Sequence, residues 1–321
     1  MANGQPGPKV KPTVRRPPTP SKPVRKPKVS EPSEPVAASP SPCKSFVIVA
    51  GSYEKLLYGL EGTFPSPSPS EASTSTSPVP TLKSIFIFPA HTGSVRAIAA
   101  SAEGGKWLAT GSTDEVVKVW NLKRRKEVGG LVQHEGSITY LGFPTRSMLV
   151  SASEDGTLAL FRVRGWELLR SLKGHTGRVN SVAVHPSGKV ALSVGKDRTL
   201  RMWDLVRGKG AASVKLGKEG EVVRWNAAGT LFAVQAGKEV DIYSTGMKLL
   251  RSIGHPSRIH DVRFWTGGKG EGEWEVLLVA AEDGKVAVYT LPEGEEETTI
   301  IAQLVGHTNR FALPFLRGYR S

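Results

Sequence analysis

The stretch Ser193-Val194-Gly195-Lys196-Asp197-Arg198-Thr199-Leu200-Arg201-Met202-Trp203-Asp204-Leu205 holds a serine, an aspartate and a tryptophan, with His175 a short way upstream. Serine, histidine and aspartate are the parts of a hydrolytic triad. They are equally the parts of a structural hydrogen-bond set, and spacing alone does not establish a triad, which is defined by geometry. Repetition separates the two readings: an enzyme needs one active site, whereas a repeated fold needs its internal link in every unit.

The set does repeat. Histidines followed by a small turn stand at His91, His134, His175, His255 and His307, at separations of 43, 41, 80 and 52 residues. With 80 taken as two units, the period is that of WD40 propeller blades, about 40–45 residues. The longer last interval contains the insertion 267–273, GGKGEGE. Within each unit an aspartate precedes an aromatic by six residues: Asp114 and Trp120, Asp155 and Phe161, Asp197 and Trp203, Asp283 and Tyr289. Alternation in Leu158-Ala159-Leu160-Phe161 and Val286-Ala287-Val288-Tyr289 marks strands, and Glu282-Asp283-Gly284 marks a turn between them. The fold class is therefore all-β, a WD40 β-propeller.

In WD-repeat blades a histidine links a turn carboxylate to a Ser or Thr hydroxyl and to the tryptophan, which satisfies buried polar groups and holds the register. His175, Ser193, Asp197 and Trp203 match that tetrad. The set recurs as His91, Thr110, Asp114 and Trp120, and as His134, Ser151 and Asp155 with Phe161 in the tryptophan place. No catalytic residue is assigned. No glycine-rich phosphate loop opens a helix, and no Cys/His group has zinc spacing. His255, His260 and Asp261 read as a turn residue followed by strand positions, so no metal and no cofactor are expected.

Composition bounds the rest. The 321-residue chain has a net charge of +14 and 39% hydrophobic residues, with no apolar run near the roughly 20 residues that cross a bilayer. A soluble protein without a membrane partner or small-molecule substrate is expected. The N-terminus lacks the apolar core of a signal peptide, and the single cysteine, Cys43, forms no internal disulfide. Both point to the cytosol or nucleus.

Residues 1–44 hold nine cations against Glu31 and Glu34, a net +7, with 12 of the 23 prolines and no aromatic residue. Such a segment buries too little apolar surface to offset the entropy of ordering, and it reads as a disordered, proline-rich basic tail. It suits a polyanion such as RNA, and equally a solubilising or import role. Its Pro20-Ser21-Lys22-Pro23-Val24-Arg25 has the PxxPxR form of an SH3 ligand, a weak match in any proline-rich segment. Residues 45–321 are expected to form the propeller, with a low-complexity loop insertion at 64–81.

Beyond the repeat, Val49-Ala50-Gly51-Ser52-Tyr53-Glu54-Lys55-Leu56-Leu57-Tyr58-Gly59-Leu60 and the string from His185 to Lys209 resemble the PAK-interacting-protein-like WD-repeat family. The similarity runs from about Phe46 to Arg310. Members are nucleolar assembly factors of the large ribosomal subunit, and animal members are also described as negative regulators of p21-activated kinases. The resemblance implies a seven-bladed ring, a nuclear and nucleolar location, and non-catalytic scaffolding in rRNA maturation. Its implied partners are pre-ribosomal large-subunit proteins and rRNA, with a kinase partner as the alternative. It supplies no ligand-binding residue.

The expected contact face is the rim beside the histidine turns, where Arg178, Arg258 and Arg310 follow the turns and Lys196 and Arg198 flank Asp197; ordinary solvated charges are the alternative. On the opposite rim Lys123, Arg124, Arg125 and Lys126 form a basic loop suited either to phosphate or to a plain polar turn.

The first blade supplies three strands, Phe46–Gly51, Lys55–Leu60 and Leu82–Phe88, without an innermost one. The single apolar run 311–316, interrupted by Pro314, is expected to follow the sixth blade as an inner strand. That would leave the rest of a seventh blade missing and the flanks of blades one and six exposed, as in a truncated or misannotated reading frame.

Deleting residues 1–44 should leave the melting temperature nearly unchanged while weakening RNA association in a salt-dependent manner. Calorimetry and RNA titration at several salt concentrations check this; an unfolded product would show that the tail is part of the fold.

Overall fold

The computed structural model describes residues 45–64, 81–101, 105–267, 274–291 and 298–305. These residues form 23 strands and no helix, in six sheets that follow one another along the chain. Blade one is three-stranded, β1 (Ser45–Gly51), β2 (Leu56–Thr63) and β3 (Thr81–Pro89). Blade two is β4 (Val95–Ala100), β5 (Trp107–Ser112), β6 (Val116–Asn121) and β7 (Lys126–Val132). Blade three is β8 (Ile138–Thr145), β9 (Met148–Ser153), β10 (Thr157–Arg162) and β11 (Glu167–Lys173). Blade four is β12 (Val179–Val184), β13 (Val190–Gly195), β14 (Thr199–Asp204) and β15 (Lys209–Lys215). Blade five is β16 (Val222–Trp225), β17 (Leu231–Ala236), β18 (Glu239–Ser244) and β19 (Leu249–Gly254). Blade six is β20 (Ile259–Gly267), β21 (Trp274–Ala281), β22 (Lys285–Thr290) and β23 (Ile300–Val305).

Every blade is an antiparallel meander in chain order. The two middle strands of a blade are buried on both faces, which is why β10 reads as the unbroken run Leu158-Ala159-Leu160-Phe161. Outer strands such as β7 are mostly exposed. Where each third strand meets its outer neighbour, the register shifts at the aromatic: Val119/Trp120, Leu160/Phe161, Met202/Trp203, Ile242/Tyr243 and Val288/Tyr289. A bulge re-aims the side chain it carries. Here it recurs at one position in five blades.

The core is a series of slabs, one between each pair of consecutive blades. Ala109 and Val117 of blade two pack with Ile138, Leu141 and Phe161 of blade three. Corresponding clusters join blades three and four, four and five, five and six, and one and two. The junctions are complementary in volume. A Cβ on Gly111, near the end of β5, would collide with Ile138 at the start of β8, and one on Gly51 would collide with Val95. The next junction sets Ala152 in one cluster with Val179. Beyond it the sizes invert, so that the large residue is Val194 and the glycine is Gly220. At the fifth, Gln235 Nε2 donates to Ile259 O at 3.1 Å. One small partner at each of the first four contacts lets the blades approach to native packing density.

Some boundaries differ from expectation. Lys55 is not in the second strand; it occupies the preceding turn at φ 70° and donates its N–H to Ser52 O at 3.2 Å, so β2 starts at Leu56 and runs on to Thr63. Thr81 already belongs to β3, and the Phe64 ring lies 5.4 Å from Phe46, so both ends of the expected 64–81 loop are part of the sheet's surroundings. Blade one has its three strands in the order β1-β2-β3. The loop interior, the tail 1–44 with its PxxPxR string, His307, Arg310 and the 311–316 run lie outside the described residues. Six blades are described, and a seventh is not.

Gly111→Val should destabilise the fold by about 1–3 kcal/mol through overpacking, and Ile138→Ala in the same chain should restore part of the loss. Chemical denaturation of both variants reads the coupling; additive losses would show that the two residues do not form the junction.

Candidate functional site

Three buried polar sets sit where the chain crosses from one blade to the next. The connector after β3 brings His91 under the β5–β6 turn of blade two. There the Trp120 indole N–H donates to Thr110 Oγ1 at 2.8 Å, the Thr110 hydroxyl donates to His91 Nε2 at 2.8 Å, and His91 Nδ1–H donates to Asp114 Oδ2 at 3.0 Å. Each donor is used once. Because the carboxylate only accepts and the hydroxyl has one proton, this neutral tautomer is the arrangement that satisfies every group.

Blade four repeats it. Trp203 donates to Ser193 Oγ at 2.8 Å, Ser193 pairs with His175 Nε2 at 2.6 Å, and His175 Nδ1 with Asp197 Oδ2 at 2.9 Å. In blade three, His134 joins Ser151 at 2.7 Å and Asp155 at 3.0 Å, and Phe161 fills the tryptophan place without a donor.

The Ser193–His175–Asp197 connectivity is that of a hydrolytic triad, yet it lacks the access one needs. Ser193 is 0% exposed and its oxygen already accepts the Trp203 N–H. No substrate carbonyl reaches it. The same connectivity stands in three blades, which is the property of a link and not of a single active site.

Burial drives the ring pKa of His91, His134 and His175 below the ordinary 6.5, against the opposing pull of their aspartates. For Asp114, Asp155 and Asp197 burial pushes upward but is outweighed. Asp114 is held down chiefly by attraction to the His91 ring in its protonated form, Asp155 by the Thr157 hydroxyl and Asp197 by the His175 hydrogen bond, and all three carboxyls lie below 3.8.

Sequence reasoning missed the rest of the aspartate's shell. Thr157 and Thr199 hydroxyls donate to Asp155 and Asp197 Oδ1 at 2.7 and 2.8 Å. The N–H of the residue after each histidine, Thr92, Glu135 and Thr176, donates to the carboxylate at 3.0, 3.0 and 3.1 Å. The spacing Asp-x-Thr in blades three and four was the available signal.

Blades five and six depart from the pattern. In the β15–β16 connector Lys218 Nζ reaches Asp241 Oδ2 at 2.8 Å and Glu239 Oε2 at 2.5 Å, so an ion pair takes the histidine's role. In blade six His255 Nδ1 meets Tyr289 OH at 2.8 Å, and Val279 stands where a hydroxyl would be. Asp261 is committed to Arg224 at 3.1 Å and Arg263 at 3.5 Å, apart from any ligand set with His255 and His260. Among the described residues no cluster of three His, Cys, Asp or Glu is placed to hold a metal.

The histidine-side rim is self-paired in part. Arg178 meets Glu219 at 3.2 Å and Arg258 meets Glu221 at 2.9 Å, while Lys196 and Arg198 are exposed beside Asp197. On the opposite rim Lys123, Arg124, Arg125 and Lys126 are all exposed, and Arg125 donates from Nη1 to Ile85 O of blade one at 3.3 Å.

Repeated meanders joined by such histidine links define a WD-repeat β-propeller protein. The WD domain, G-beta repeat profile matches residues 82–121 and 166–204. The chain is 35% identical over 244 residues to the chicken p21-activated protein kinase-interacting protein 1-like, covering 76% of this chain and 60% of that one. It is 34% identical over 307 residues to yeast Protein MAK11, covering 83% and 71%. A fission-yeast relative, Shk1 kinase-binding protein 15, is 27% identical over 246 residues, covering 74% and 67%. The chain belongs to the PAK-interacting protein 1-like and MAK11 family of WD-repeat proteins. It spans about three fifths of the chicken relative's length.

Asp197→Ala should cost roughly 2–4 kcal/mol, because it strands a buried imidazole donor. In the unfolded chain these histidines take up a proton near 6.5, and in the fold only at lower pH. The contribution of these links should therefore be flat above pH 7, fall as pH drops below about 6.5, and fall again below about 3.8 as the carboxylates protonate. Denaturation midpoints across pH check both; wild-type stability in Asp197→Ala would contradict the structural role.

Proposed function

We propose that the protein is a non-catalytic scaffold in assembly of the large ribosomal subunit and maturation of its rRNA, in the nucleolus. The observation that carries the scaffold reading is the sealing of every Ser/Thr–His–Asp set inside a separate blade, which leaves the surface as what the molecule offers. Rigid blades with variable connectors present a preformed face to partners. The large-subunit assignment is supported by the resemblance of the 49–60 and 185–209 strings to nucleolar assembly factors, and by the net charge of +14, which suits a particle built on RNA.

A second reading is an adaptor that binds and restrains a p21-activated-type kinase. The names of the chicken relative and of Shk1 kinase-binding protein 15 favour it. The two make different demands on the partner. A kinase interaction survives loss of RNA, whereas membership of a pre-ribosomal particle depends on it.

Affinity purification of the tagged chain with and without ribonuclease tests the proposal. Large-subunit precursor proteins and rRNA should be recovered, and ribonuclease should release most of them. Recovery of a kinase alone, unchanged by ribonuclease, would support the adaptor instead.

A further inference from the structure

The two rims of the blades differ in charge. On the histidine side, Glu54, Asp114, Glu115, Glu135, Glu154 and Asp155 lie in the connectors of blades one to three, where the only cation is Lys55. Further round that rim Arg178, Arg258 and Lys218 are paired with Glu219, Glu221 and Glu239, whereas Lys196 and Arg198 stand exposed on either side of Asp197.

On the opposite rim the described connectors hold no carboxylate of their own; at the adjoining strand ends Asp204 lies 3.7 Å from Arg207 and Glu167 lies 3.4 Å from Arg162. Blade two presents Lys106, Lys123, Arg124 and Arg125, and blade three presents Arg146 and Arg164. Blade four adds Lys189 and Arg207, and blade five Lys248. Among the described residues Lys123, Arg124 and Arg164 have no carboxylate within ion-pair distance, and all three are exposed.

The outer turns of that rim share one backbone form. Arg125, Trp166, Gly208 and Met247 each take a left-handed φ, of 51, 56, 65 and 62°. Asn121 Oδ1 accepts the Arg124 N–H at 3.2 Å, and Asp204 Oδ1 accepts the Arg207 N–H at 2.9 Å, so the side chains spring from fixed turns. Neighbouring turns also touch. Trp107 of blade two and Trp166 of blade three lie edge to face with centroids 5.2 Å apart, a Cβ on Gly208 would meet Arg170 of blade three, and His185 Nε2 contacts Gly229 O of blade five at 3.1 Å.

We propose that this rim, from the β6–β7 turn of blade two to the β14–β15 turn of blade four, is a binding surface for the phosphodiester backbone of RNA. Cations without counter-charge repel one another and gain most from a chain of phosphates that releases condensed counterions. Several charges on one repeating turn fit a repeating polyanion better than a single acidic group. The inference rests on the large-subunit reading for its source of RNA.

The test measures binding of the full chain to a single-stranded RNA of about 20 nucleotides at several salt concentrations. One variant carries Lys123→Glu, Arg124→Glu and Arg164→Glu; its control carries Lys55→Glu, Lys196→Glu and Lys238→Glu, the same charge change on the histidine side. Both keep the basic tail, which cancels in the comparison. The first should lose on the order of tenfold or more in affinity, with a salt slope shallower by about 2–3, while the control stays within about threefold of the parent chain. Equal losses in the two variants, or no loss in the first at unchanged melting temperature, would overturn the proposal. So would a polyglutamate peptide that displaces the RNA at equal charge concentration, which would assign the rim to acidic protein. Particle recovery by the unmodified chain judges the functional reading separately: particles recovered with an RNA-silent rim sink this inference alone.

Discussion

The fold turns on one hydrogen-bonded path, in which a histidine on the incoming connector reaches a hydroxyl on one strand and a carboxylate in the following turn. In blades two, three and four this path ties the point where the chain enters a blade to the turn between its second and third strands. The ring is buried, so a half-made path would leave a donor or acceptor stranded in a medium that does not solvate it. Position of the inner strand, register of the next pair and placement of the aromatic are thereby set together. Blade five reaches the same end with Lys218 and the buried Asp241, and the interchange shows that the requirement is a link between connector and blade rather than a histidine as such.

With each blade fixed internally, the slabs between blades need only fit. A small residue facing a large one at successive junctions allows this without a common core, and the inversion at Val194 and Gly220 shows that the summed volume matters more than which side is large. The rims are left free of packing duty. One carries many carboxylates and ties some of its cations to them, as in Arg178–Glu219 and Arg258–Glu221, and the other holds Lys123, Arg124 and Arg164 exposed on its turns. A fold of this kind separates stability from recognition, which is consistent with a scaffold whose partners read its edges.

Much of this was legible in the chain. The period of the histidines, the six-residue step from aspartate to aromatic, and the Ser or Thr between them located three of the links residue by residue, because each is local and repeated. What escaped was either unrepeated or long-range. Lys218 and Asp241 replace the histidine pattern with residue types that carry no period. The partners Arg178 and Glu219 lie 41 residues apart and meet only once the blades stack. The alternation of small and large at the junctions is likewise invisible until Gly111 and Ile138 are seen to face each other.

Nitrogen-detected NMR of the histidine rings, followed from pH 8 down through the ordinary value of 6.5, tests the central account most directly. His91, His134 and His175 should remain neutral with the proton on Nδ1 through that range, and those protons should exchange with solvent only on the timescale of global unfolding. Rings that titrate near 6.5, carry the proton on Nε2, or exchange rapidly would show that the path from hydroxyl to carboxylate is not the buried link on which the blades depend.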